Sequence, residues 1–155
     1  MPLPELGAPA PDFTLPSTAG SHVTLSALRG RSVLLAFFPA AFTSTCTAEL
    51  CALSDEYAAF ERAGAVVLPI SVDAIPSLRA YQAKEGMRVD LLSDFKREVS
   101  RAYGTLNEAR FSSNRAYVLI DPAGRVRWTF QEADNSERRE NAELLSRIEA
   151  LRADP

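Results

Sequence analysis

Two apolar runs of strand length, residues 32–38 (SVLLAFF) and 65–72 (AVVLPISV), with a helical pattern between them, constrain this chain more than any other feature. An uninterrupted apolar run has no solvent face, so it suits a strand covered on both sides. The first run should therefore lie centrally in its sheet. Pro39 ends that run, Thr43, Ser44 and Thr45 then offer three successive N-cap side chains, and the helical pattern stops at Gly64. A strand, a crossover helix and a second strand pair in parallel, so residues 32–72 predict a βαβ unit.

The remaining elements fit around that unit. Short alternating pieces at 12–15 and 22–25, punctuated by Pro9, Pro11, Pro16, Gly20 and Gly30, predict a small hairpin or edge element. Further on, the pattern predicts a helix over 76–85, a strand over 89–92 and a brief helix over 96–103. Two strands follow at 115–120 and 125–130, joined by Asp121-Pro122-Ala123-Gly124, which has hairpin turn chemistry. A last helix is expected to open near Asn135-Ser136 and to reach about residue 152, with Leu144, Leu145, Ile148 and Leu151 on one face. This order predicts an α/β fold of the thioredoxin-like type, a central mixed β-sheet flanked by α-helices with an N-terminal hairpin extension. At 155 residues, 46% apolar and 24% charged, the chain has the size and composition of one domain, and no repeat or linker divides the span 1–155.

Charge and composition exclude several classes. A net charge of −3 gives no basic footprint for nucleic acid, and no basic amphipathic stretch points to a membrane surface. Met1-Pro2-Leu3-Pro4-Glu5 lacks the charged-then-apolar pattern of a leader, and no apolar stretch approaches the roughly 18 residues of a spanning helix. A soluble cytoplasmic protein is expected. There two cysteines are reactive or buried rather than part of a disulfide framework. With only His22 beside them they are too few for a structural zinc site unless carboxylates or a second chain contribute, and no cofactor is expected.

Cys46 falls in the first turn of the predicted helix. The unpaired N–H groups of a first turn carry partial positive charge and stabilise an anion, and the thiolate is the nucleophilic form of cysteine. With Thr43 as N-cap, Cys46 is at N3. At about 100° per residue, Leu50, Leu53, Tyr57 and Phe60 share its face, which puts the sulfur at the foot of the sheet-facing side. Free cysteine is also among the most buried residue types, so position alone leaves a packing role open.

The complete string Pro39-x-x-x-Thr43-x-x-Cys46, at a strand-to-helix junction, resembles the signature of the peroxiredoxins. The run from Phe37 to Leu50 is most similar to the bacterioferritin comigratory (PrxQ) and alkyl hydroperoxide reductase E types. Similarity extends through the opening Gly7-Ala-Pro-Ala-Pro-Asp-Phe-Thr-Leu15 and the strand Arg115-Ala-Tyr-Val-Leu-Ile-Asp121. The resemblance implies a thiol peroxidase in which Cys46 is oxidised by hydroperoxide and Thr43 binds thiolate and peroxide. It further implies that Pro39 shields the sulfur, that Arg115 adds a fixed positive charge and that Glu49 holds the arginine. Arg110 precedes the strand and reads as a loop charge. His22 reads as a surface residue and Trp128 as packing.

Cys51, five residues on, matches the resolving cysteine of the helix-type PrxQ group, where an intramolecular disulfide forms and thioredoxin or a related dithiol reduces it. Five helical residues rise about 7.5 Å and turn about 140° past a full turn, whereas a disulfide wants Cα atoms within about 7 Å and converging Cβ vectors. Closure therefore requires residues 43–53 to unwind. Ser44-Thr45 and the segment after Cys51 depart from the PrxQ pattern, while Phe42 and Glu49-Leu50 lean toward alkyl hydroperoxide reductase E, which can act with one cysteine. Resolution of Cys46 by an external thiol and a redox sensor that does not turn over stay open. A disulfide oxidoreductase would carry Cys-x-x-Cys here, and this chain does not. The implied partners are a hydroperoxide and a dithiol, with the chain as a monomer or weak homodimer.

Overall fold

The computed structural model describes residues 2–153, so the outermost residues of the expected 1–155 span lie outside the described part. It opens with the expected hairpin, β1 (Thr14–Pro16) paired antiparallel with β2 (His22–Thr24). β3 (Ser32–Phe37) then leads into α1 (Ser44–Asp55), α2 (Tyr57–Arg62) and β4 (Ala65–Ser71). β3 and β4 pair in parallel from Ser32–Ala65 to Phe37–Ile70, as the two apolar runs require. α3 (Ile75–Glu85) has Pro76 in its first turn and closes on Gly86 at φ 61°, ψ 38°, a left-handed position that favours glycine. β5 (Leu92–Ser93), α4 (Glu98–Ala102), β6 (Leu106–Asn107), β7 (Ser112–Ser113), β8 (Ala116–Ile120), β9 (Val126–Gln131) and α5 (Asn141–Ala153) complete the chain.

The main sheet has the order β5-β4-β3-β8-β9, with β3 central and β8 antiparallel to it, so it is mixed and thioredoxin-like. Successive residues of β3 alternate between two cores. Leu34 and Ala36 pack with Leu50, Leu53, Phe60, Leu78, Tyr81, Leu144 and Ile148 from the helices. Val33, Leu35 and Phe37 pack with Phe13 and Leu15 from the N-terminal segment and Val99 and Tyr103 around α4. No helix among the described residues is long and apolar enough to cross a membrane.

Four expectations are corrected. The single helix expected up to Gly64 is two helices, broken at Glu56 (φ −105°, ψ 20°). There Asn141 donates its side-chain N–H to the Ala52 carbonyl (2.9 Å) and to Glu56 Oε1 (3.1 Å), a tertiary contact that no local pattern announces. The strand expected over 89–92 is only Leu92–Ser93, because the Val89 carbonyl accepts instead from Gln82 and the Leu91 N–H is bound by Thr18 Oγ1. The helix expected over 96–103 is shorter, since Asp94 takes the Val99 and Ser100 N–H groups and Arg97 sits at φ 64°. The last helix starts at Asn141 rather than Asn135-Ser136: the Ser136 N–H binds the Asp134 side chain, and residues 132–140 run irregularly over the sheet end. The small β6–β7 pair was not expected from the sequence at all.

Candidate active site

The C-terminal ends of β3 and β4 lie at the same sheet end as the start of the antiparallel β8. The loop 38–43 therefore meets Arg115, which immediately precedes β8. Thr43 occupies the N-cap position of α1 (φ −91°, ψ 153°), which puts Cys46 at N3. Its hydroxyl proton goes to the Ala40 carbonyl (2.9 Å) and no side chain caps α1, so the first-turn amides stay available to an anion. Cys46 itself is 1% exposed, at the foot of the face that carries Leu50 and Leu53.

Arg115 Nη2 donates to Cys46 Sγ at 3.1 Å, and Nη1 donates to Glu49 Oε1 at 2.7 Å. Both ends of the Arg115–Glu49 ion pair are 1% exposed. The Asn135 carbonyl accepts from Arg115 Nε (3.3 Å) and Nη2 (3.1 Å), while Asn135 Oδ1 accepts from the Arg115 backbone N–H (2.9 Å). The second Glu49 oxygen accepts from the Tyr117 hydroxyl. Burial pushes the Glu49 carboxyl up from its ordinary value, against the opposing pull of Arg115 and the Tyr117 hydrogen bond. Burial also works against the charge on Arg115, but Glu49 and then Cys46 outweigh it, so the guanidinium is held above its usual range and remains a fixed cation.

Pro39 is half-buried on the loop before Thr43, which is exposed. Asp73 anchors that loop: its Oδ2 accepts from the Ala41 N–H (2.9 Å) and the Ser71 hydroxyl (2.8 Å). Phe42 sits at φ 65°, its ring 4.8 Å from that of Tyr81. Thr47 donates to the Thr43 carbonyl (2.7 Å) and also meets the Tyr81 hydroxyl (2.8 Å), tying the first turn to α3. Asp73→Ala is expected to lower stability by about 1–2 kcal/mol, because the Ala41 amide loses its acceptor. The change should appear as a lower urea midpoint with an unchanged slope.

Cys51 is free and half-buried in the intact α1. Burial pushes its thiol up, and Glu85 and Asp55 push the same way. Arg110 lies between β6 and β7 and donates to Asn114 Oδ1 (3.0 Å), a loop charge as expected. Exposed His22 is on β2, and Trp128 stacks 6.2 Å from Tyr117.

Of the residues singled out from the sequence, Arg115 contacts both Cys46 and Glu49; Thr43 and Pro39 lie on the adjoining loop, and Cys51 lies farther along α1. Sequence reasoning missed Tyr117, Asn135 and Asp73. Tyr117 had a signal, since residues i and i+2 of a strand share a face and Arg115 was already singled out. Asn135 and Asp73 had none, as both act across long stretches of chain.

A buried cysteine at a helix N-terminus, touched by an arginine that is itself ion-paired, thus stands at one end of a mixed, thioredoxin-like sheet. Residues 6–129 match the AhpC/TSA family. Alkyl hydroperoxide reductase E of Mycobacterium bovis is 41% identical over 126 residues, covering 79% of this chain and 82% of that protein. The bcp protein of Coxiella burnetii is 36% identical over 126 residues, 77% of this chain and 83% of that protein. Among solved structures, reduced 2-Cys peroxiredoxin of Plasmodium vivax superposes with a TM-score of 0.88 at 31% identity, covering 96% of this chain and 82% of that one. The chain belongs to the AhpC/TSA family and is a peroxiredoxin, a thiol-dependent peroxidase.

Proposed function

We propose that Cys46 is the peroxidatic residue and that Cys51 resolves it. The Cys46 thiolate attacks one oxygen of a hydroperoxide and the O–O bond breaks. Sulfur is oxidised to a sulfenic acid, and the other oxygen leaves as hydroxide or alkoxide, taking a proton to become water or an alcohol. Charge moves from sulfur to the leaving oxygen, so a cation and first-turn amides fixed beside the sulfur stabilise the transition state without reorganising. The observation that carries this reading is the 3.1 Å contact from Arg115 to Cys46 Sγ, made by a guanidinium that Glu49 immobilises. Thr43, on reorienting its hydroxyl from Ala40, binds the peroxide, and Pro39 keeps bulk water from the sulfur.

The Cys51 thiol then attacks the sulfenic sulfur, forming a disulfide and releasing water. α1 holds the two cysteines five residues apart in an unbroken helix, so the first turns unwind before closure. Unwinding also frees Cys51 from the burial and carboxylates that suppress its ionisation. Thioredoxin or a similar dithiol reduces the disulfide, which suits a reducing compartment such as the cytoplasm. The chain is read as one domain acting as a monomer or weak homodimer.

One equivalent of hydrogen peroxide, followed by intact-mass measurement, tests this cycle. The expected product has lost two hydrogens, and Cys51→Ser abolishes that loss. A wild-type product that gains oxygen instead means that an external thiol resolves Cys46.

A further inference from the structure

The buried charge network does not end at Glu49. We propose that Tyr117 is a positioning residue of the peroxidase site: its hydroxyl fixes the second oxygen of Glu49 and, through Glu49, the aim of Arg115 at Cys46. The inference rests on the peroxidase reading above.

A carboxylate held by one oxygen can still turn about its last torsion, which is broad and roughly two-fold. In this site Oε1 takes Arg115 Nη1 and Oε2 takes the Tyr117 hydroxyl, so the carboxylate plane is fixed from both sides. The guanidinium is planar; with Nη1 held by Glu49 and with Nε and Nη2 donating to the Asn135 carbonyl, the direction of Nη2 toward the sulfur is fixed.

The direction of the Tyr117 proton is also determined. Its oxygen accepts from the Arg139 backbone N–H at 3.0 Å, a group that can only donate, so the hydroxyl proton is left for Glu49. The ring is held against Trp128 at 6.2 Å, with 25° between the planes. Burial first, then Glu49, push the hydroxyl far above its ordinary range, so it stays a donor. The groups that act on Glu49 are Arg115, just before β8, Tyr117 on β8 and Arg138 on the 132–140 segment, while Cys46 on α1 shares Arg115 with it and Arg139 reaches it only through the Tyr117 oxygen. Tyr117→Phe removes one donor and leaves the others.

The test compares wild type, Tyr117→Phe, Glu49→Gln and the double variant. Infrared titration follows the protonated-carboxyl band that disappears in Glu49→Gln; in Tyr117→Phe it should persist to higher pH, because a donor to the charged form is gone. Stopped-flow oxidation of Cys46 by hydrogen peroxide should slow about tenfold in Tyr117→Phe, the order of effect when a partner that orients a reacting group is lost. In the Glu49→Gln background the same change should have no further effect on rate. An unchanged carboxyl titration, or an equal rate loss in both backgrounds, overturns the proposal. If Tyr117→Phe does not fold, 3-fluorotyrosine at position 117, a stronger donor, should move the band to lower pH, and an unmoved band overturns it. Slow oxidation of wild type would instead refute the peroxidase reading itself, before any variant is compared.

Discussion

Arg115→Met is expected to lose about 10²–10³ in the rate of Cys46 oxidation and about 3–5 kcal/mol of stability. The activity loss follows from removing the only group seen to donate to the sulfur among the described residues, at the point where charge redistributes. The stability loss has a different origin. Glu49 is 1% exposed, and without Arg115 its carboxylate is a buried charge held by Tyr117 with distant help from Arg138.

Arg115→Met/Glu49→Leu separates the two effects. Replacing both members of a buried pair by apolar groups is often close to neutral, so the double variant should recover most of the stability and none of the activity. Urea unfolding and stopped-flow oxidation read the two quantities independently. The single variant should also acquire a pH dependence of known sign. Burial already raises the folded-state value of Glu49, and loss of the guanidinium raises it further. A carboxyl raised on folding binds its proton more tightly in the native state, so stability falls as pH rises past the unfolded value. Arg115→Met should be least destabilised in acid and most at neutral pH and above. A flat difference from wild type across that range would mean that Glu49 is not the group left uncompensated.

Cys46→Ser is expected to lower peroxide consumption by about 10³-fold or more with little change in fold. Serine is smaller by a fraction of an atom, and its oxygen can still accept from Arg115 Nη2. Its hydroxyl is not ionised by first-turn amides and a single guanidinium, so no nucleophile is present. Cys51→Ser should behave differently: the first oxidation proceeds at the wild-type rate, and turnover with a dithiol reductant stops. Peroxide consumption under steady state and in a single turnover distinguishes the two. If Cys46→Ser retained steady-state consumption, the reactive sulfur would lie elsewhere in the chain. Trp128 offers an optical readout, since it stacks on Tyr117, which binds the carboxylate of the site.

The elements that local patterns foresaw are those whose causes are local. Apart from Ser32 and Ser71 at their ends, β3 and β4 are apolar because helices or loops cover both sides, and that pattern is visible without knowing which helices. Thr43 takes the N-cap position that its residue type favours, although its hydroxyl binds the Ala40 carbonyl rather than a first-turn amide, and counting from it places Cys46 at N3. Glu49 falls three residues after Cys46 on one helix, so its nearness is also local.

Some of what was misjudged has nearby causes that the pattern does not rank, such as Asp94 taking the Val99 and Ser100 N–H groups; the end of α1 and the late start of α5 have long-range ones. α1 ends at Asp55 because Asn141 reaches across to the Ala52 carbonyl. Residues 135–140 do not continue α5 because the Asn135 carbonyl and side chain and the Arg139 amide bind Arg115 and Tyr117. Asn135-Ser136 has the composition of a helix start, but the arginine it serves is 20 residues earlier in the chain, on the edge of another element.

By itself, the amino-acid order determined the parallel βαβ unit and the turn in which Cys46 sits, because hydrophobic periodicity and helix-terminus chemistry act within a few residues; the residues expected to meet the sulfur came from the resemblance to the peroxiredoxins. Only the tertiary structure decided that Arg115 touches the sulfur, that Glu49 is buried with it and that Tyr117 and Asn135 hold them in place. Those contacts exist because antiparallel pairing of β8 with β3 brings residues 66 and 69 positions apart to one sheet end, where burial makes each unpaired charge or donor costly.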